Sequence, residues 1–356
     1  MQILHIITTI EIGGAEKHLL QLASFQRKLG HEVKVIYLKG KPQLSVSFTK
    51  NNIEVLNKED SNLLRILLLF LRHLNTFSPS IVHAHLPRAE LFVCIASFMK
   101  KFTYVISRHN SEPLFTRKSE FINRTLTKFV SKKSRGVIYI SEAARIAFDL
   151  RNDIPAGESN TIIHYGIELK NVSQRNIQYS KNCKKKCLTF SRLTEQKNLE
   201  RLIKAFSEIR NEDYSFDIYG EGELEDSLQN QIVRRGLQKQ IQIHPKVYNV
   251  EKILEKYDFF ILGSLYEGFG LALLEAMNAQ KFIIASGKSS IIEILGKEYK
   301  YLFDPTSVDS IKETILEAWE SADDMTLNYL QERVKLFTLE KMVSKTLVFY
   351  DLVTST

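Results

Sequence analysis

"ILHIITTIEIGGAEKHLLQLASFQRKLGHEVKVIYL", residues 3–38, decides the fold. Its first eight residues are mostly apolar and rich in isoleucine, as a buried strand requires, and Gly13-Gly14 breaks the run. Leucines at helical spacing follow as far as Gly30, where the helix closes, and "HEVKVIYL" alternates as a second strand. A strand, a helix and a strand in so short a space form a βαβ unit, whose strands lie parallel. The pattern returns in "SIVHAH" (80–85), "TYVISRH" (103–109) and "GVIYISEAARIAF" (136–148), each an apolar run with its polar residues at the C-terminal end.

A lysine-rich polar stretch, "LKNVSQRNIQYSKNCKKK" (169–186), reads as a linker, and a second series begins beyond it. "CLTFSRLTEQKNLERLIKAFSEI" (187–209) gives strand, loop and helix, "YSFDIYGEGELEDSLQNQIVRRGL" (214–237) repeats the order, and "IQIHPKV", "YDFFILGS", "GLALLEAMNA" and "KFIIAS" continue it. The expected fold is α/β, with two doubly wound domains in tandem. Ligands of such sheets bind beyond the carboxyl ends of the strands, so a cleft between facing domains is the expected site.

Composition agrees with this size. The 356 residues are 44% apolar and 25% charged, the balance of a globular protein with more than one core. Met1 runs directly into a strand, without a leader pattern, so an intracellular location is expected. Cys94, Cys183 and Cys187 form neither a disulfide framework nor a zinc set, and "CKKKC" is expected in a solvated linker. The net charge of +8 favours an anionic partner. Much of it collects in residues 100–135, where Lys and Arg mix with Phe, Ile and Leu in a manner suited to anionic lipid or nucleic acid. "LLRILLLFLRHL" (63–74) is too short to cross a bilayer and carries Arg65 and Arg72.

The chemistry concentrates in "SLYEGFGLALLEAMNAQKFIIAS", residues 264–286, with two glutamates that have no cation of their own. Ala272, Leu271, Asn278 and Ala279 lie three and four residues from Glu275, so no intrahelical ion pair is available. A carboxylate on so apolar a helix needs an outside partner, and ribose hydroxyls would serve. Glu267 precedes Gly268-Phe269-Gly270, where a ligand can approach the main chain, and the next helix offers free N–H groups to a phosphate. In "SRLTEQKNL", Arg192 closes a strand and Lys197 precedes a helix. A cation there is disfavoured by the helix dipole unless an anion intervenes, so a bound phosphate is expected.

"RLTEQKNL", "IYGEGELE", "YEGFGLALLEAM" and "IHYGIE", in this order and spacing over nearly the whole chain, resemble the retaining group-one glycosyltransferases of the GT-B fold, which use nucleotide sugars. The resemblance implies two Rossmann-like domains facing a cleft: 1–168 on the acceptor side, a linker at 169–186, and 187–335 for the donor. It also implies that 336–356 packs back on the first domain. Glu275 would hold the ribose, Glu267 the donor sugar, and the amides around Phe269, Gly270 and Leu271 the diphosphate or sugar. Arg192 and Lys197 would neutralise the departing diphosphate. In the first domain, Gly13-Gly14 matches a glycine loop near the donor phosphates, His85 a histidine near the transferred sugar, and His109 another at the cleft. His83 is expected to turn to the opposite face and pack.

The implied reaction is front-face transfer with retention. Without an Asp-x-Asp no metal is expected, and no cofactor beyond the donor substrate. The implied partners are a UDP- or GDP-linked sugar, a glycan or lipid-linked acceptor and an anionic membrane surface, with no nucleic acid. The implied location is cytoplasmic, peripheral at the inner face of the membrane. Three departures stand out: Pro245-Lys246 replaces a glycine-containing turn near the base, the usual proline after the second glutamate is missing from "QKFIIAS", and serines replace glycines ahead of Glu293. A nicotinamide oxidoreductase would want G-x-G-x-x-G in the first turn. A nucleotide-sugar epimerase shares the architecture and needs no acceptor, and a non-catalytic scaffold would not need the Glu267, Glu275, Arg192 and Lys197 set.

Overall fold

A computed structural model describes residues 1–57, 62–109, 120–151, 159–169, 184–210, 213–247 and 250–355. The chain divides into two compact units, 1–167 with 338–356, and 168–337.

The first unit alternates β1 (Gln2–Ile7), α1 (Gly14–Lys28), β2 (Glu32–Tyr37), α2 (Ser45–Lys50), β3 (Glu54–Val55), α3 (Leu63–Thr76), β4 (Ile81–His85), α4 (Pro87–Ala96), β5 (Tyr104–Arg108), α5 (Glu120–Lys133), β6 (Gly136–Tyr139), α6 (Glu142–Leu150) and β7 (Asn160–Ile162). Its strands pair in parallel in the order β3-β2-β1-β4-β5-β6-β7. Alternation along β1 sends Leu4 and Ile6 into a core with α3 and α4, and Ile3 and Ile7 into another with α1. The second core is completed by α14 (Leu339–Thr354), which supplies Met342, Val343, Tyr350 and Val353. Glycines let the returning chain approach. A side chain at Gly136 would strike the Phe349 ring, and one at Gly166 the backbone of Thr338, which bridges to Ile167.

The second unit repeats the plan with β8 (Lys185–Phe190), α7 (Leu199–Glu208), β9 (Tyr214–Tyr219), α8 (Glu225–Arg234), β10 (Ile241–His244), α9 (Val250–Leu254), β11 (Phe259–Leu262), α10 (Leu271–Asn278), β12 (Phe282–Ser286), α11 (Ser290–Leu295), β13 (Leu302–Phe303), α12 (Val308–Ser321) and α13 (Asp324–Val334). The strand order is β10-β9-β8-β11-β12-β13, again parallel. The α/β expectation therefore holds in both units. One detail differs from the sequence reading. Lys185 and Lys186 already belong to β8, and Cys187 is buried inside that strand rather than solvated. Cys183 and most of the expected linker, 170–183, lie outside the described residues. No helix among the described residues is long and apolar enough to cross a membrane.

Candidate functional site

In each sheet the strand order reverses once, between β1 and β4 in the first unit and between β8 and β11 in the second. Connections diverge there and leave a crevice beyond the strand ends. Both clusters of site residues sit at these points.

In the second unit, the loops that follow β8 and β11 are fastened together: Leu265 N–H donates to Gln196 O at 2.9 Å, and Gln196 Nε2 donates to Tyr266 O at 2.8 Å. Lys197 ends a 3-10 turn, and Asn198, at φ 57°, redirects the chain into α7 while its amide donates to Gly263 O and Pro305 O. Lys197 is thereby brought to Glu267, with Nζ 2.5 Å from Oε1, and Ser264 Oγ donates to the same oxygen at 2.6 Å. The anion beside this cation is therefore a protein carboxylate. That corrects two expectations at once, because Glu267 has a cation of its own and Lys197 does not need a bound phosphate to explain its place.

The turn after Glu267 is pinned from behind. Ser289 and Ser290 donate to Glu267 O at 2.8 and 3.1 Å, and Ser290 also to Phe269 O at 2.9 Å. These serines fix the backbone that Gly268, Phe269, Gly270 and Leu271 present. Gly270 takes φ 105°, a conformation that excludes most side chains, and α10 opens at Leu271. Glu275 lies half-buried one turn on. Arg192 is exposed and donates to Gln196 Oε1 at 3.2 Å. Its loop is held by Gly220 and Gly222, where any side chain would collide with the backbone of Ser191 or Leu193.

The first unit gathers histidines instead. His5 on β1 stands opposite His83 on β4 in register. His83 and His85 share a face, their rings 3.9 Å apart, which corrects the expectation that they point oppositely; residues two apart on a strand lie on the same side. Tyr165 Oη meets His109 Nδ1 at 2.5 Å, His109 Nε2 meets His85 Nδ1 at 3.0 Å, His85 Nε2 meets His5 Nδ1 at 3.0 Å, and His5 Nε2 meets Gln26 Oε1 at 2.8 Å. His83 bonds Tyr350 of α14 at 2.5 Å and Ser107 of β5 at 2.7 Å. His18 of α1 stacks on Tyr165 at 4.1 Å.

Burial holds these rings neutral, lowering the pKa of His5 to about 4 and of His109 to about 3, with His18, His83 and His85 well below their ordinary range. Nitrogens of His5, His83 and His85 lie within 4.8 Å of one another, a grouping a metal could use. All six nitrogens, however, have hydrogen-bonding partners within 3.0 Å.

Leu86, directly after His85, has φ 72°, strain of the kind that collects beside functional groups. Gly13 caps α1, and a side chain on it would meet the Glu16 carboxylate, which accepts from Thr9 Oγ1 at 2.6 Å; space around Gly14 is open. On α4 and β5, Glu90 and Arg108 form a fully buried pair at 2.6 Å. Burial raises the Glu90 pKa to about 7 against the opposing pull of Arg108.

Sequence reasoning missed His5, His18, Gln26, Ser107, Tyr165 and Tyr350 in the first unit, and Gln196 and Ser264 in the second, and it noted the serines at 289 and 290 only as a departure, without their bonds to the turn. The period of two along "IVHAH" was signal enough to pair His83 with His85.

Comparison with known proteins bears on both units. A family described as Glycosyltransferase Family 4 matches residues 12–171, and one described as Glycosyl transferases group 1 matches 173–335. The UDP-N-acetylglucosamine–peptide N-acetylglucosaminyltransferase GtfA subunit of Limosilactobacillus reuteri is 28% identical over 38% of this chain and 27% of its own length. The poly(ribitol-phosphate) alpha-N-acetylglucosaminyltransferase of Staphylococcus aureus is 26% identical over 52% and 37%. The chain thus spans about a quarter to two fifths of these two relatives. Anabaena HepE, solved in complex with UDP, superposes with a TM-score of 0.82 at 19% identity over 98% of this chain and 99% of that one. The first unit thus carries a Glycosyltransferase Family 4 match and the second a Glycosyl transferases group 1 match, in a chain with the fold of HepE, the GT-B arrangement of glycosyltransferases.

Proposed function

We propose that the chain is a retaining, metal-independent glycosyltransferase that moves a sugar from a UDP- or GDP-linked donor to a glycan or lipid-linked acceptor in surface polysaccharide or glycoconjugate synthesis. The observation that carries this reading is the knot of Lys197, Glu267 and Ser264 at the switch point of the second sheet, beside the pinned Gly268-Phe269-Gly270 turn. The UDP and UDP-glucose complexes of HepE support a nucleotide-sugar donor.

In this reading the donor diphosphate takes Lys197 and Arg192 as its counter-charges, and Glu267, released from part of its ion pair, turns to the sugar hydroxyls. Glu275 accepts from the ribose, and the amides from Phe269 to Leu271 meet the phosphates or sugar. His85 and His109 serve the sugar and acceptor side, with Gly13-Gly14 near the phosphates once Glu16 makes room. The bond from the anomeric carbon to the phosphate oxygen breaks as the acceptor oxygen bonds to the same face, and the acceptor proton passes to the departing phosphate. The protein contributes position and charge stabilisation, and two cations supply what a metal would otherwise give.

A panel of nucleoside diphosphates and their sugars, read by thermal shift with and without EDTA, tests the reading. UDP or GDP and a matching sugar nucleotide raise the melting temperature with EDTA present; no shift with any of them defeats it. So does an isomerised sugar, in place of released nucleotide, after incubation with donor.

The proposed location is the cytoplasmic face of a membrane. On the first unit Phe98 is 61% exposed and stacks on the exposed Phe129 at 5.9 Å, Lys133 lies 4.8 Å above the Phe98 ring, and Lys132 and Arg135 are exposed nearby. Basic groups over exposed aromatics suit an anionic lipid surface, at about 1 kcal/mol per cation. Neutralising Lys132, Lys133 and Arg135 should then release the protein from anionic liposomes in flotation; unchanged flotation argues against membrane contact.

A further inference from the structure

The imidazoles of the first unit form a line whose direction one residue can set. Neutral imidazoles and phenol hydroxyls each donate and accept, so a chain built only of them can run either way. Gln26 differs: its Oε1 can only accept, and its Nε2 can only donate. With Oε1 set 2.8 Å from His5 Nε2, that nitrogen carries the proton; the reverse amide orientation would run the line the other way and place the protons on Nδ1. His5 Nδ1 must then accept from His85 Nε2, His85 Nδ1 from His109 Nε2, and His109 Nδ1 from the Tyr165 hydroxyl. Gln26 Nε2 faces the Tyr350 hydroxyl without closing a good hydrogen bond, and Tyr350 is joined to His83 and on to Ser107.

We propose that Gln26, on α1 and buried, is a positioning residue that fixes the tautomers of His5, His85 and His109 as one unit, so that His85 and His109 each hold their proton on Nε2. The proposal deepens the proposed function, resting on it for the use of His85 at the donor sugar, while the tautomer pattern itself does not depend on any ligand. A metal at His5, His83 and His85 would compete with the hydrogen bonds of His5 and His85 within the line and with those of His83 to Tyr350 and Ser107. Desolvation keeps the rings unprotonated near neutral pH, so tautomer rather than charge is the variable.

Long-range 1H–15N correlation of the histidine rings in the full chain reads the tautomers directly. The wild type should show His5, His85 and His109 all as Nε2–H. In Gln26→Met, which keeps length and loses both polar atoms, the three should move together to mixtures of the two forms, and Gln26→Glu, which restores an acceptor to His5, should recover the Nε2–H pattern. Turnover should fall roughly ten-fold in Gln26→Met with donor KM little changed, since a histidine in the wrong tautomer remains bound but misdirected. Mixed or opposite tautomers in the wild type, an unaltered pattern in Gln26→Met, or stoichiometric metal in the purified protein would overturn the proposal. A tautomer shift with undiminished turnover would leave Gln26 as the lock and remove His85 from the proposed reaction.

Discussion

The two units share a strand order and place their polar side chains at the same topological point, yet they equip it oppositely. In the second unit the groups are ionic and reach it on loops: Lys197, Glu267 and the exposed Arg192. In the first they are neutral rings bonded to one another, with His5, His18, His83 and His85 buried and His109 at the partly exposed end of the line. Charges held at a loop edge can exchange one partner for another, as a diphosphate would require. Rings in a closed network cannot exchange without breaking the chain, so they suit fixed geometry rather than counter-charge. The same fold thus carries an exchangeable ionic site and a preorganised neutral one.

The comparison predicts where each unit is fragile. The largest effect is expected from Arg108→Met, which strands the Glu90 carboxyl in the first core and costs about 3–5 kcal/mol. Hydrogen exchange should show faster opening of β4 and β5. Fluorescence of Trp319, the chain's single tryptophan and part of the second unit, should unfold at its usual point. Glu90→Leu added to Arg108→Met should recover most of the loss.

Next is Lys197→Ala, expected to lower turnover by about 10²–10³-fold through lost stabilisation of the leaving group, while leaving first-unit exchange rates alone. If first-unit exchange rates rose instead, the ionic site would be structural and the contrast would fail.

Acid should divide the units too. The buried histidines have folded pKa values below their unfolded ones, so the stability they confer is complete above about 6.5 and is lost as pH falls. The loss is about 1.4 kcal/mol per pH unit for His5 between 6.5 and 4. Glu90 acts in the opposite sense, its raised pKa weakening the fold as pH climbs from 4.5 to about 7. Hydrogen exchange against pH should show the first unit opening in acid before Trp319 responds, and Glu90→Gln should make the acid loss steeper. The smallest effect expected is in Glu275→Ala, about ten-fold weaker nucleotide binding, or about 1.4 kcal/mol, by titration calorimetry.

Much of the fold was legible because parallel strands buried on both faces write themselves as continuous apolar runs, from "ILHII" to "KFIIAS". The start of β8 was not, since lysines at 185 and 186 look like solvent-facing linker until the strand pairs with β9. In the site, Glu267 and the turn after it were readable from glycine chemistry. The partnership of Glu267 with Lys197 was not, because 70 residues separate them and only the β8–β11 adjacency brings them together. The histidine line was harder still. His5 hides in an apolar strand, Gln26 in an amphipathic helix, and Tyr350 lies 267 residues from the ring it bonds.

The return of residues 338–356 to the first unit has a consequence for how the molecule is made. Vectorial synthesis delivers all of 168–337 before the helix that carries Tyr350, Met342 and Val343 emerges from the ribosome. Until then the nascent first sheet has one apolar flank partly bare and His83 without its phenol partner. The unit at 168–337 can mature beforehand, and the unit begun before it is finished only after it.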